Sequence, residues 1–422
     1  MTEPVEQKKE SFLRKLGPGL ITGAADDDPS GIATYSQAGA QFGFDMLWTS
    51  LVTFPLMVGI QIVSARIGRV TGEGLAANIR RLFPRWVLLV VVSLLVIANT
   101  INIAADVAAM GEALQLVIGG GEHGHAIIFG VVSLLLQVFI PYHRYVRVLK
   151  WLTLSLLAYV AVAFSVHIDW AHAIEQSFAP TLSFNPDFIA VVVAVFGTTI
   201  SPYLFFWQAS QEVEELRGGN GSALKRAPVD ARAHLHRIKV DTYVGMGFSN
   251  LIAFFIILSA AVTLHVAGIT EIRTSAEAAQ ALRPIAGEFS FLLFSLGIIG
   301  TGMLAVPVLA GATAYAVADS FGWRQGLDRK LFEATEFYTI IALATLGGVL
   351  LDFTPVDPIK ALFWSAVING VIAVPIMVVM MLMAARPEVM GPFVIRRRLK
   401  ILGWLATTAM ALVVLTMLVT AR

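Results

Sequence analysis

The chain has no cysteine, which excludes disulfides, thiolate metal sites and thiol redox chemistry. It is also short of charge. Asp, Glu, Lys and Arg make up 14% of its 422 residues, against about 25% in soluble domains. Apolar residues take their place: 57% of the chain is hydrophobic and the mean hydropathy is +0.75. The apolar runs are long and continuous, without the period-two alternation of a membrane barrel. A soluble globular fold and a β-barrel are thereby excluded, and an all-α, polytopic membrane protein remains. No low-complexity tail and no stretch suited to a separate soluble domain is present. Residues Met1 to Lys15 are polar and lead into a segment interrupted by glycine and acids, not into a clean signal-peptide core, so no cleavage is expected.

Eleven transmembrane helices are predicted, at about 16–40, 46–65, 86–118, 126–140, 148–166, 187–210, 240–265, 288–318, 334–351, 357–384 and 401–420. The third, eighth and tenth are long enough to tilt, and the fourth is short. With the N-terminus inside and the sides alternating, the inside segments collect all but Arg273, Arg283, Lys360 and Arg422 of the 30 lysines and arginines. This asymmetry predicts a multi-pass plasma-membrane protein with N-terminus in and C-terminus out. It also explains the basic loops as topology signals, so no nucleic-acid partner is expected.

Two spans are broken. The first contains Gly23-Ala24-Ala25-Asp26-Asp27-Asp28-Pro29-Ser30-Gly31. Pro29 lacks a backbone donor and clashes with the preceding turn, so the helix should break near Asp28. Acids at mid-depth are expensive unless they face a cavity, a partner or an ion, which points to a cation site. A loop before a short span is the bland alternative, but Ile32 to Gly43 alone could not cross a hydrocarbon core of about 30 Å. In the sixth span, Gly197 and Pro202 bracket Thr198-Thr199-Ile200-Ser201, and unwinding is expected between them. The breaks are five spans apart. Five is odd, so two five-span units lie with opposite orientation, the sequence pattern of a secondary transporter built from inverted repeats around a midplane site. One transporter domain over 1–422 is therefore expected. It comprises a cytosolic tail (1–15), a first repeat (about 16–166), a second (about 187–384) and an extra span (about 401–420).

Gly17-Pro18-Gly19 leading to Asp28-Pro29-Ser30-Gly31, with Ala33-Thr34 after it, resembles the first-span signature of NRAMP divalent-metal transporters. Gly197-Thr198-Thr199-Ile200-Ser201-Pro202 resembles their sixth-span signature. The resemblance covers all eleven spans in layout and is residue-specific mainly in spans one, three and six. It implies the LeuT/APC-like fold shared with sodium-coupled amino-acid transporters, and transport of manganese or iron with protons. The departures are as informative. The family's first-span Asp is kept as Asp28, but its Asn position is Gly31. Its sixth-span methionine is Ser201, and its two histidines are Tyr203 and Gln208. The third-span Asp is kept as Asp106, while the Glu three residues on is Ala109. The ninth span, Glu336 to Leu351, has none of the family's arginines.

The resemblance makes Asp28 the principal metal ligand, with backbone carbonyls from Ala25 and Thr198. Gly31 and Ser201 line the site, Ser201 acting through a water. Losing a thioether and an amide leaves a roomier, oxygen-only site. Carboxylate, hydroxyl, carbonyl and water suit Mg²⁺, Ca²⁺ or Mn²⁺, and Mg²⁺ usually keeps several waters. Asn369 either reaches the ion or its water, or makes an interhelical hydrogen bond. Asp26 and Asp27 face an aqueous vestibule or a structural partner. Asp106 is functional, as intramembrane acids generally are, or a core acid near Asn102. His123 and His125 read as a solvated loop, and His234 and His236 as part of a basic loop. Glu212, Glu214 and Glu215 read as a solvated helix end, and Met377, Met380, Met381 and Met383 as packing.

The expected function is transport of hydrated divalent cations, Mg²⁺ first and Mn²⁺ also, without proton coupling, as in the NRAMP-related magnesium branch. The alternatives are a proton-coupled Mn²⁺/Fe²⁺ importer, Al³⁺ transport as in the related plant branch, and sodium-coupled amino-acid transport. An intramembrane aspartyl protease would leave the second break unexplained, so no enzyme is expected. No resident cofactor is expected, and no partner beyond the ion and the lipid bilayer.

Overall fold

The computed structural model describes residues 18–140, 144, 151–218, 221–354 and 356–420. The predicted tail 1–15, with Gly17, Arg147, Lys150 and Arg422, lies outside them. Among the described residues all regular structure is helical. The first span is two half-helices, α1 (Pro18–Asp26) and α2 (Pro29–Phe42). Pro29 takes the first helical position, where its missing N–H is no loss. Asp28 is the N-cap, in extended conformation (φ −73°, ψ 171°). The break therefore falls at Asp27 and Asp28. A single 3₁₀ turn, Gly43–Met46, joins α2 to α3 (Leu47–Thr71). After the amphipathic α4 (Leu75–Leu82) come α5 (Arg85–Ile118), α6 (Glu122–Phe139) and α7 (Leu157–Ser165).

The predicted loop from His167 to Asp187 contains a helix, α8 (Trp170–Phe178), bent 120° from the segment before it. Asp169 caps it by accepting from His172 N at 3.1 Å, a local signal in the sequence that the apolar-run reading passes over. The second broken span follows as α9 (Pro186–Thr199) and α10 (Pro202–Gly218). Here Gly197 does not bound the unwound piece. The helix runs on to Thr199, and only Ile200 and Ser201 are outside it. The next helix, α11 (Ala231–Ala260), begins earlier than predicted and carries His234 and His236 on its first turns rather than in a loop. The remaining α-helices of at least 5 residues are α12 (Ser275–Ala279), α13 (Ser290–Phe321), α14 (Thr335–Leu351), α15 (Pro358–Ala384) and α16 (Arg397–Thr420).

By length and apolarity, 8 helical runs among the described residues suffice to cross a membrane, or 9 counting the bent pair. The eleven predicted spans compress to this number for local reasons. α2 and α3 continue through one turn and count as one run, and α14 has only 17 residues.

The broken helices occupy the centre. From Val191 to Ser210 every residue of α9, the break and α10 is buried, whereas α16 exposes Leu405, Leu412, Leu415 and Leu418 along one side, as a lipid-facing helix should. Two of the glycines that permit close backbone approach lie on the broken spans. A Cβ on Gly23 of α1 would lie 2.3 Å from the carbonyl of Gly245 on α11, and one on Gly197 of α9 would lie 2.1 Å from Ala366 O on α15. Small residues permit such backbone contact where lipid supplies no hydrophobic drive. The first broken span is thus seated against α11 and the second against α15.

Candidate cation site

Asp28 is fully enclosed at the first break. Its Oδ1 accepts from Gly31 N at 2.7 Å, and its Oδ2 lies 3.2 Å from the Tyr203 hydroxyl. The same hydroxyl lies 3.0 Å from Ala25 O, the carbonyl freed at the end of α1. Tyr203 is in the first turn of α10, directly after Pro202. One phenol therefore ties the two halves of the first span to the second half of the sixth. The roomier space expected from the loss of larger ligands is narrowed by this ring, which is completely buried. Gly31 faces the sixth span: a Cβ there would sit 3.4 Å from Thr198 Oγ1 and 3.3 Å from the Tyr35 ring.

At the second break the chain satisfies its own freed groups. Ser201 Oγ lies 2.7 Å from Thr198 O and 3.0 Å from Gly197 O, donating toward both. Thr198 Oγ1 and Ser30 Oγ face each other across the two breaks at 3.5 Å. The structure thus brings Asp28, Ala25, Gly31, Thr198 and Ser201 together. Asn369 is held elsewhere by a hydrogen bond: its Oδ1 accepts from Asn102 Nδ2 on α5 at 3.0 Å, the interhelical option.

Asp26 and Asp27 are buried as well, and neither faces an aqueous vestibule. Ser249 Oγ of α11 lies 2.5 Å from Asp26 Oδ2 and 2.9 Å from Asp27 Oδ1. Asp106 of α5 is 0% exposed, and neither of its carboxylate oxygens has a hydrogen-bond partner. It makes no bond to Asn102, so the core-acid reading loses its partner. The charge that acts on it is that of Asp28. Among the described residues none of these four carboxylates is in an ion pair. Four buried acids with only hydroxyl and amide donors have no basic side chain beside them to balance a charge, a part that a cation can play.

No group of three or more His, Cys, Asp or Glu side chains among the described residues is arranged to hold a metal. A cation at the breaks would therefore draw on the single Asp28 carboxylate with carbonyls, hydroxyls and water, an all-oxygen set suited to hard cations.

Toward the ends of α2, α9 and α15, a cavity of about 370 Å³ opens between Gln37, Asp187, Glu271, Arg273 and Lys360. The opposite end is clamped. Glu212, which is not a solvated helix end but 0% exposed, meets Arg237 at 2.8 Å and Arg69 at 3.8 Å. Glu215 meets the same two arginines at 2.6 Å and 3.3 Å. His234, read as part of a basic loop, is on α11 and lies 2.7 Å from Arg69 Nη2 through Nδ1. Glu214 bonds Tyr315 and accepts from Leu327 N. α3, α10 and α11 are locked together there, and Gly19 N donates to Asp241 Oδ2 at 2.7 Å to fasten α1 to α11. Sequence reasoning missed Tyr203 and Ser249 as site residues. Tyr203 carried a signal, since it opens a half-helix aimed at the other break; Ser249 sits inside an unbroken span and carried none.

The profile of the natural resistance-associated macrophage protein-like family matches residues 19–420. A divalent metal cation transporter MntH of Deinococcus radiodurans is 27% identical over 404 residues, covering 93% of this chain and 86% of that protein. One of the same description from Caldanaerobacter subterraneus subsp. tengcongensis is 26% identical over 385 residues, covering 86% and 82%. Among solved structures, the Eremococcus coleocola manganese transporter bound to an aromatic bis-isothiourea compound aligns with a TM-score of 0.73 at 16% identity, covering 98% of this chain and 88% of that one. MhsT in complex with L-phenylalanine aligns with a TM-score of 0.64 at 14% identity, covering 97% and 100%. These two likenesses concern the fold alone.

Proposed function

The chain belongs to the natural resistance-associated macrophage protein-like (Nramp) family, a family of transporters and not of enzymes, and on that premise we propose that it carries divalent metal cations, Mg²⁺ above all and Mn²⁺ also, as partly hydrated ions without proton coupling. The observation that carries the reading is the donor set at the paired breaks. It consists of one carboxylate, Asp28, with the Ala25 and Thr198 carbonyls and the Ser201 hydroxyl, Asp28 and Ala25 being held by the Tyr203 hydroxyl until a cation displaces it. Sulfur and imidazole, the ligands that favour softer metals, are missing there. A site with one carboxylate suits an ion that keeps most of its waters.

Three steps follow from these residues. A cation enters from the cavity near Gln37 and Glu271, drawn by the acids below it. At the breaks it takes Asp28 Oδ2 and the Ala25 carbonyl in place of the Tyr203 hydroxyl, and Ser201 meets it through a water. Release needs the far end to open, which means separating α1 from α11 and undoing the Arg69–Glu212–Arg237–Glu215 network. With that end facing the cytosol, a negative-inside potential drives uptake: two charges gain about 4.6 kcal/mol per 100 mV.

The test is flux into proteoliposomes under an imposed potential, with Mg²⁺ and Mn²⁺ run separately and internal pH recorded. Mg²⁺ uptake without acidification, lost in Asp28→Ala, is the expected result. Mn²⁺ uptake with acidification and no Mg²⁺ uptake would show a proton-coupled manganese or iron importer instead.

A further inference from the structure

Three polar residues form a stripe down one face of α5: Asn99, Asn102 and Asp106. All are buried, at 1%, 0% and 0% exposure. The spacing of three and four residues stacks them on one side of the helix, across two turns or about 10 Å. Each has at least one oxygen with no hydrogen-bond partner: Oδ1 of Asn99, Oδ1 of Asn102, and both oxygens of Asp106. Asn99 is otherwise anchored to α13, its Nδ2 donating to Leu309 O and Thr313 Oγ1. Asn102 is anchored to α15 through Asn369, whose Nδ2 also has no partner. Turning both amides over leaves the same inventory, one free acceptor and one free donor. Buried polar atoms in native proteins are nearly always satisfied. This many orphans on adjoining residues, beside a carboxylate that feels the charge of Asp28, mark a place where something else supplies donors.

The free groups are mostly acceptors, which selects the ligand. A metal ion stripped of water needs several lone pairs converging on one point, and one carboxylate with a distant amide does not provide them. A hydrated divalent cation is different. Its waters turn their lone pairs to the metal and their protons outward, so its surface is made of strong donors. We propose that Asp106 and Asn102 of α5, the latter held in place by Asn369 of α15, form an outer-sphere station that grips the water shell of the transported cation while Asp28 faces the ion itself. The inference rests on the hydrated-ion reading given above. It assigns Asp106 and Asn102 a role as acceptors for metal-bound water, and Asn369 a role in positioning Asn102.

The discriminating probe is hexaamminecobalt(III), whose ammine ligands do not exchange and which can therefore be held only from outside its ligand shell. Its equilibrium binding and that of Mn²⁺ are measured by calorimetry on the purified full-length protein, in the wild type, Asp106→Asn and Asn102→Leu. Both substitutions nearly conserve volume, and monodispersity and thermal unfolding verify that each variant is folded. Wild-type protein is expected to bind the cobalt complex, and each substitution to weaken that binding by about 10- to 100-fold, the usual cost of losing a group that acts on a metal through its ligands. Mn²⁺ binding should fall much less. Cobalt-complex affinity within twofold of wild type in both variants, or no binding by the wild type, overturns the station. Failure of the underlying reading looks different: the wild type would then take up no Mg²⁺ in the flux assay, whatever the cobalt complex does.

Discussion

The hydroxyl of Tyr203 sits between Asp28 Oδ2 at 3.2 Å and Ala25 O at 3.0 Å, so the phenol occupies the oxygens that a cation at the first break would need. It has one proton and two acceptors, and a cation competes with it for both. Removing the hydroxyl in Tyr203→Phe frees them while the ring keeps filling the space. Hydrogen bonds to charged groups contribute about 1.5–3 kcal/mol. Mn²⁺, which sheds water more readily than Mg²⁺, should then bind roughly tenfold more tightly, and its release should slow. Calorimetric titration of the purified protein measures the first, and Mn²⁺ flux the second. Weaker Mn²⁺ binding would mean that the hydroxyl is itself a ligand and not a competitor.

Asp28 has two jobs, and two substitutions separate them. It caps α2 through Gly31 N and it presents the carboxylate. Asn is as good an N-cap as Asp, whereas Ala costs about 1 kcal/mol. Asp28→Asn should therefore abolish cation flux at near-wild-type thermal stability. Asp28→Ala should abolish flux and lower the melting temperature as well. Flux surviving in Asp28→Asn would remove the carboxylate from the transport path.

The two breaks were legible because proline acts on the backbone itself. Pro29 and Pro202 each stand at the first position of a half-helix, and no tertiary context is needed to foresee that. The residues gathered at the breaks followed from the motif, down to the Thr198 carbonyl and Gly31. What could not be read was direction. Glu212 looked like a solvated helix end because it follows an apolar run by a few residues, yet α10 is packed on every side and carries that acid inward to Arg69 and Arg237. Gly197 looked like a breaker because glycine is poor in helices, and only its approach to Ala366 shows that it is there for contact. Ser249 and Tyr203 owe their roles to which face of another helix they meet, and that information is tertiary.

The clamp at the far end is open to test because the chain has no cysteine of its own. A single Ser64→Cys places one thiol on α3 against α10, where the serine is buried and bonds Phe205 O. Removing one partner of a buried ion pair costs about 3–5 kcal/mol. Glu212→Gln should fall at the lower end, since Arg237 keeps Glu215 at 2.6 Å. In that background the thiol should react faster with a membrane-impermeant maleimide, because α10 separates from α3 more often. Equal labelling rates with and without Glu212→Gln would mean that the network does not hold this end shut.

The glycine contacts of the two broken spans give the sharpest prediction about movement. A methyl on Gly23 would sit 2.3 Å from the carbonyl carbon and oxygen of Gly245 and 2.6 Å from its Cα. All are backbone atoms, so no side chain can turn aside, and α1 itself must shift. Because α1 ends at Ala25 and Asp26, a shift also drags the Ala25 carbonyl from Tyr203. Gly197→Ala meets the same obstacle in the second broken span, with Ala366 O at 2.1 Å and Gly370 N at 2.6 Å. Gly347 of α14 is the control, since a methyl there would only touch Thr100 Cγ2 at 3.4 Å. Overpacking typically costs about 1–3 kcal/mol, so Gly23→Ala and Gly197→Ala should each lower thermal stability and lose most Mg²⁺ flux, while Gly347→Ala keeps both. The two glycine contacts should differ in the thiol assay. Displacing α1 opens the clamped end and raises labelling of Ser64→Cys, whereas forcing α9 from α15 acts on the other side of the breaks and leaves labelling unchanged. Full flux in Gly23→Ala would mean that α1 and α11 do not need this contact at any point in the cycle.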